Sequence, residues 1–578
     1  MKRIFYLIIL LFFLINFQSP ALPTTPGTLN SSLSLKIGLM EEPKTLNPFS
    51  ATDRWSKNII KQLYQPLYIK GPKNLDIVPW LAVEKPHFNH TNEVIIHLKK
   101  AQWEDGTPLT ADDIVFTGNI IKEFQIPSFY SDWDFIKGLK ALNKNTIKFT
   151  LTEKKAIFFS QTMLTPIIQK KQWKPIVLKA RTSKNPIKTL LGYQPKKIIS
   201  SGPFRFSKWE SGKYIKLIKN EFFFGQGTKI LGYKIGPYIN EIVFLIYRDI
   251  NQMIDALKSG EIDYIWGSIE PRYLSQIRNN LKIYLTTSPM NAIQYLAFNL
   301  RKEPFNDKHF RQALAYLIDK DILVTNVLNN YGVSLDSIIP PGNTIWHNSE
   351  TRKYGKDLSR KERIQKAMDL LESAGYKWRE KPSIEKSLVS YGKGLLMPNG
   401  EPVPPFIILF PSFEYDPARA ISARFIQEWW KGVGIPVEIK SEPFRSLMKR
   451  VKDERNFDVV ILGWNLGIDP DYLRIFFHSR EAVKYGKNFS GYKNLDFDRL
   501  ADASAIKTDF KERKELIKKM EQIIIEEVPY IPLYSSFMIE VYRLDRFSGW
   551  FQQLNGIGNI WSLLLVKSLL PYNEKSEN

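Results

Sequence analysis

The chain contains no cysteine. That absence excludes disulfides, thiol catalysis, zinc–thiolate sites and a lipid-bearing N-terminal cysteine together, so a lipoprotein anchor is not expected. Histidine is scarce, at six residues, and no two form an H-x-x-x-H pair. His87 and His90 flank a polar stretch beside Pro86, where no metal site is expected. The readable catalytic signatures are missing as well: there is no P-loop, G-x-G-x-x-G, G-x-S-x-G or H-E-x-x-H. No catalytic residue, metal or cofactor is assigned. No internal repeat with a period of roughly 20 to 50 residues is present.

Long hydrophobic runs are also rare. The one exception is residues 4–15, twelve apolar residues behind Met1, Lys2 and Arg3. Twelve residues span roughly 18 Å as a helix, short of the roughly 30 Å hydrocarbon core. The segment therefore reads as a secretory signal, ending near residue 22, and not as a membrane span. No later stretch is long and apolar enough to cross a bilayer. The expected mature protein is exported, periplasmic, soluble and monomeric.

Negative charge is in short supply: 59 Asp and Glu face 82 Lys and Arg, for a net charge of +23. The excess is concentrated, with 15 Lys/Arg and a single acid, Glu153, between residues 137 and 197. Net charge alone admits a nucleic-acid ligand. No C2H2, RNP or basic-helix pattern accompanies it, so no nucleic-acid partner is expected. The segment reads as a solvated basic face on a subdomain that meets anionic lipid or an acidic partner.

What is present is ordinary for a folded protein, with 43% hydrophobic and 24% charged residues. At 578 residues the chain is too long for one core, and two or more domains follow. Periodicity predicts strands over 33–39, 94–98, 146–151, 242–247 and 406–410 and a helix over 55–68 that closes on Pro66. Thr110 and Asp113 match a capping box for a helix reaching Phe124. These positions explain Asp105, Asp112 and Asp113 without an acid–base role. Residues 166–195, rich in Lys and Pro, read as loop. Residues 204–218 read as a hairpin around Gly212, and 242–266 as strand, helix, Gly260, strand. Phe310, Ala313, Leu314, Leu317 and Ile318 form one helical stripe; Ile421, Phe425 and Trp429 a second; Leu516, Met520, Ile523 and Ile524 a third. Residues 531–534 read as a short strand.

Residues 463–472 (Gly-Trp-Asn-Leu-Gly-Ile-Asp-Pro-Asp-Tyr) leave an apolar strand over 457–462. A Trp, two Gly and an Asp-Pro turn at a strand's carboxyl end suit ligand contact in an α/β lobe. An ordinary strand-to-helix turn is the alternative.

Seven pieces of the chain, in order, resemble the family 5 extracellular solute-binding proteins, the dipeptide-, oligopeptide- and nickel-binding subunits of ATP-driven importers. They are Glu42-Pro43 with Leu46-Asn47-Pro48; residues 103–116; Ser201-Gly202-Pro203-Phe204; residues 256–263; Phe298-Asn299 through Ile318-Asp319-Lys320; Phe457-Asp458 to Trp464; and residues 529–534. The resemblance implies an α/β periplasmic-binding-protein fold, type II-like, of two lobes joined by two crossing strands. Its expected parts are lobe I at 33–290 plus 531–578, with a subdomain inserted at about 55–195, and lobe II at 291–530. It implies a binding protein, not an enzyme, that carries a peptide or other small solute to an inner-membrane ABC permease with a cytoplasmic ATPase. The matched motifs nominate Glu42, Gly202, Trp464, Asn465, Leu466, Gly467 and Asp469 for ligand contact, with Trp464 as an apolar wall. In peptide-binding relatives an Asp three residues after the Trp holds the peptide ammonium. Gly467 stands at that position, and Asp469 is either its replacement or a turn residue. A non-peptide solute, or an exported hydrolase using two carboxylates, is the alternative function.

Overall fold

One 14-residue strand, Tyr530–Arg543, ties the chain together. The computed structural model describes residues 34–73, 75–85, 88, 91–385 and 388–569. The expected signal segment, His87 and His90 lie outside those residues. The N-terminal part of the strand, residues 530–534, pairs antiparallel with Ala292–Phe298, and residues 537–543 pair with Ile283–Pro289. Residues 283–298 and 530–543 are thus two antiparallel chains that each run from one half of the molecule to the other. Gly332–Ser334 bridges the interval by pairing with residues 534–536. Sequence alone reads 531–534 as a short strand, because Pro532 and the polar Ser535 and Ser536 interrupt the pattern; tertiary pairing carries the strand on.

On one side of this crossing, Ser34–Leu39 lies between Glu241–Ile246 and Tyr264–Ile265, parallel to both. The hairpin Phe204–Glu210 and Tyr214–Lys219 adds to the edge, turning at Gly212 with φ +73°. Helix Ile250–Ser259 connects the two outer parallel strands and stops at Gly260, whose φ of +87° is the left-handed cap that glycine adopts without strain. On the other side, Phe406–Pro411, Val437–Glu442 and Val459–Asn465 form the second parallel set. The run over 459–462 is apolar throughout because both faces are covered: Val459 and Ile461 enter one core, and Val460 and Leu462 enter another.

Residues 91–200 carry a separate three-stranded sheet, Glu93–His97, Thr146–Leu151 and Ile136–Asn143. Helix Ala111–Glu123 packs on it, with the expected Thr110/Asp113 capping box formed. The Lys- and Pro-rich segment departs from the loop expectation. It forms helices Lys170–Arg181 and Pro186–Leu191. Trp173, Val177 and Ala180 make a buried stripe there, obscured in the sequence by surrounding lysines. The first helix is shorter than expected, Arg54–Leu63, and residues 68–70 turn into a strand. The stripe of helix Pro417–Lys431 is displaced by about a third of a turn: Ala423, Ile426 and Trp430 are buried, and Ile421, Phe425 and Trp429 are half-buried.

Helix Phe510–Glu527 buries Arg513 and Glu521 beside Ile517, Met520 and Ile524. Glu521 Oε1 accepts from Ser337 Oγ and from Ile339 N (3.2 Å), and Oε2 has no partner among the described residues. Burial pushes this carboxyl up to about 8 from an ordinary 4.5, against the lowering effect of those bonds. Between those two values the native state holds a proton that the unfolded chain has released. Stability therefore falls as pH rises, by about 1.4 kcal/mol per pH unit from this group. Glu521→Gln is expected to remove that slope in urea midpoints measured across the window; an unchanged slope would show the group to be ionised in the fold.

Candidate functional site

Two adjoining cavities lie between the halves of the molecule. The first, of about 660 Å³, is lined by helix Arg54–Leu63 and by residues 64–70 on one wall. Asn291, Asn465, Leu466 and Ile468 face it from the other, and residues 553–560 close one end. The second, of about 980 Å³, runs between the inserted region (Phe129, Asp132, Phe159, Ser160) and Trp346, Gly467, Asp469 and Arg513. Tyr68, Lys70, Leu75, Leu164 and Ile468 line both, so the two are compartments of one cleft. Each alone has the size of a ligand site.

The segment 463–472 sits at the centre of this cleft. Strand Val459–Asn465 runs three residues beyond its apolar core, so Gly463, Trp464 and Asn465 are strand, not turn. On one edge they pair with Gln294, Ile293 and Ala292. On the other, pairing with Phe406–Pro411 stops at Val460. Residues 461–465 therefore present an edge with no strand partner among the described residues. Asn291, at the bend between strands Ile283–Pro289 and Ala292–Phe298 of the first crossing chain, donates from Nδ2 to the carbonyls of Leu466 (3.0 Å) and Gly467 (2.7 Å). Asn343 Nδ2 holds the Ile468 carbonyl at 2.9 Å. This loop is thus fixed by side-chain donors to its carbonyls and linked directly to the crossing point.

Of the residues nominated from sequence, Asn465, Leu466, Gly467 and Asp469 come together on the cleft wall. Trp464 lines neither cavity. Its ring packs in the core behind the loop, against Tyr295, Phe476 and Phe489. Glu42 lies outside both cavities too, and its carboxylate accepts from Trp209 Nε1 (2.6 Å), Ser211 Oγ (3.2 Å) and Gly212 N (3.1 Å). Gly202 supports the cleft from behind. Its N–H and that of Ser201 both donate to the Leu63 carbonyl at 2.9 Å, closing the end of the first helix.

Asp469 is buried and fully engaged. Its oxygens take Arg513 Nη1 and Nη2 in a two-point pair at 2.7 Å each, Ser160 Oγ at 2.7 Å, and the Asp471 N–H at 3.1 Å. Burial opposes its ionisation, yet the Arg513 charge and these hydrogen bonds hold the carboxyl below the usual range. Nearby Asp132 goes the other way, pushed up to about 6 by burial and then by Asp471, Asp134 and Asp469. Sequence reasoning missed Arg513 and Asn291. It also missed the cations of helix Arg54–Leu63, whose only local signature is a polar face. Among the described residues no group of three or more His, Asp or Glu is placed to hold a metal. No helix among them is long and apolar enough to cross a membrane.

A family model described as bacterial extracellular solute-binding proteins, family 5 Middle, matches residues 76–483. The chain belongs to this family. Its members are solute-binding proteins rather than enzymes, and solved relatives share the two-lobed α/β fold built above. Similar curated members are the oligopeptide-binding protein AppA of Bacillus subtilis (strain 168), 28% identical over 511 residues covering 86% of each chain. The dipeptide-binding protein of Escherichia coli (strain K12) is 26% identical, covering 81% of this chain and 83% of its own. Among solved structures, the periplasmic oligopeptide-binding protein of an oligopeptide ABC transporter from Thermotoga maritima superposes with a TM-score of 0.74. It is 23% identical and covers 93% of this chain and all of its own.

Proposed function

We infer that this chain is the exported substrate-binding subunit of an ABC importer. It takes a peptide or peptide-like solute into the cleft and delivers it to an inner-membrane permease driven by a cytoplasmic ATPase. The observation that carries this reading is a cleft of two joined cavities walled by Asn465, Leu466, Gly467, Ile468 and Asp469, at the exit of a strand whose outer edge has no strand partner beyond Val460 among the described residues. An extended peptide can pair with such an edge through its main chain, while side chains occupy the roomy compartments. The names of the similar members, oligopeptide- and dipeptide-binding proteins, point the same way. In this reading Asn465, Leu466 and Gly467 contact the ligand main chain, and Trp464 stiffens the loop from the core side.

The lobes are read as 33–290 plus 531–578, with the insertion at about 55–195, and 291–530. Contacts already span them, since Ser160 Oγ reaches Asp469 and Ala156 N donates to the Ala505 carbonyl at 2.9 Å. A ligand bridging both walls adds to such contacts and favours the closed arrangement that a permease recognises. The bend at Asn291 and the partner change along residues 534–537 are where closure is absorbed. Isothermal titration of the mature protein with defined peptide pools, followed by mass spectrometry of the released ligand, tests the reading. The expected result is saturable binding with the peptide recovered intact; cleaved peptide, or no heat with any pool, would count against it.

A further inference from the structure

The first cavity is built for negative charge. Arg54, Lys57 and Lys61 occur at i, i+3 and i+7 of the first helix, on the face opposite its buried Trp55, Ile59, Ile60 and Leu63. Such a polar face is ordinarily just solvated. Here all three side chains line the cavity, and Lys70 joins them from the strand that follows. Among the described residues no Asp or Glu lines this cavity. None of the four cations has an ion-pair partner within 4.0 Å among the described residues, although carboxylates cap many other cations of this chain, Lys148 by Glu93 and Arg181 by Glu123 among them. The acidic groups acting on the row from nearby are Asp469 on Lys70 and Glu540 on Arg54. Both are committed elsewhere, Asp469 to Arg513 and Glu540 to Tyr264 Oη and the Ile557 N–H. The cations repel one another: burial and then Lys57 and Arg54 lower the Lys61 amine, and burial and then Lys61 push the Lys70 amine down to about 8.

A second observation is independent of charge. The indole N–H of Trp266, a residue 3% exposed that lines the same cavity, has no hydrogen-bond acceptor among the described residues. A buried donor left unpaired costs about 1–3 kcal/mol. An anion seated on the cations would relieve both the mutual repulsion and the unpaired donor. The wall opposite supplies no carboxylate for a ligand ammonium, since Gly467 is bare and Asp469 is neutralised by Arg513.

We propose that this cleft selects solutes with clustered carboxylates, foremost acidic peptides, by seating them on Arg54, Lys57, Lys61 and Lys70 beside the Trp266 N–H. The proposal rests on the solute-importer reading above and narrows its substrate class. The test titrates the mature protein with Ala-Glu-Glu-Ala, its N-acetyl form, Ala-Gln-Gln-Ala, Ala-Lys-Lys-Ala and citrate. Acidic peptides are expected to bind at least about tenfold tighter than the glutamine peptide, with the advantage largely lost at 1 M salt, where screening reaches about 3 Å. Lys57→Gln/Lys61→Gln is expected to cut the advantage to about threefold or less. Lys184→Gln/Lys188→Gln, an equal charge change on the exposed surface of the inserted region, is expected to keep it. Equal affinity for the acidic and glutamine peptides, or equal loss in both double variants, overturns the proposal while leaving peptide import standing. Binding of citrate but of no peptide supports the anion seat and overturns the peptide reading. Binding of none of the probes overturns both.

Discussion

Asp469→Asn is expected to destabilise the protein by about 3–5 kcal/mol, the usual result of removing one partner from a buried ion pair. The side chains of both Asp469 and Arg513 are 5% exposed, and the guanidinium gives two hydrogen bonds to the carboxylate at 2.7 Å. Without the negative charge, Arg513 keeps the Ser504 carbonyl at 3.1 Å, the Trp346 ring 5.1 Å from its guanidinium carbon, and the weaker attraction of Asp471, which is itself paired with Arg474. None of these supports a buried cation alone. Asp469→Asn/Arg513→Gln should recover most of the loss, because no unpaired charge then remains. Urea denaturation measures both. A single variant within about 0.5 kcal/mol of the parent would show the site to be wet and the pair dispensable. The acid limb gives a second readout. The folded carboxyl is depressed, so its contribution is full above the unfolded value and is lost as pH falls through the folded one. Asp469→Asn should therefore flatten the acid end of the stability curve. The same geometry removes Asp469 from consideration as a free carboxylate for a ligand ammonium, because each oxygen already accepts two hydrogen bonds.

The second large effect is expected at Gly202. Its backbone has no unusual φ, and the constraint is space. A Cβ there would sit 2.0 Å from the Gln62 carbonyl oxygen and 2.7 Å from its carbon. Those are backbone atoms of the first helix and cannot rotate away, so Gly202→Ala must displace helix Arg54–Leu63 or its own segment. Overpacking of this kind costs about 1–3 kcal/mol, and a backbone obstacle puts the substitution at the top of that range. The displaced helix carries Arg54, Lys57 and Lys61, so affinity for an acidic ligand should fall together with stability. Ser201→Ala separates the causes. It removes only the hydroxyl that accepts the Gln65 N–H at 3.1 Å and introduces no clash, so a loss of about 1 kcal/mol is expected from it. Titration and thermal melting of both variants decide the matter; a Gly202→Ala protein with parental melting and affinity would refute the steric account. Gly202 is thus a support behind the cleft wall rather than a group at its surface.

Much of the architecture was legible in the sequence because it is written locally. The capping box at Thr110 and Asp113, the left-handed stop at Gly260 and the strand over 146–151 each depend on neighbouring residues, and each forms. The helix at 170–181 was hidden because its stripe of Trp173, Val177 and Ala180 is diluted by lysines that only solvate its outer face. The full 14-residue strand at 530–543 was hidden for another reason: its pairing partners, near 285 and 295, are about 250 residues distant.

The sequence by itself determined the family and the α/β class and singled out residues 463–472, because ordered motifs and an apolar strand before a Gly- and Asp-Pro-rich exit survive without knowledge of contacts. Tertiary structure decided where those residues sit and what they touch. It turned Trp464 into the core and tied Asp469 to Arg513, 44 positions away. It also gathered three helix cations and Lys70 around one cavity without a carboxylate. Charge pairing and cavity walls are made between segments remote in sequence, and no local spacing encodes them.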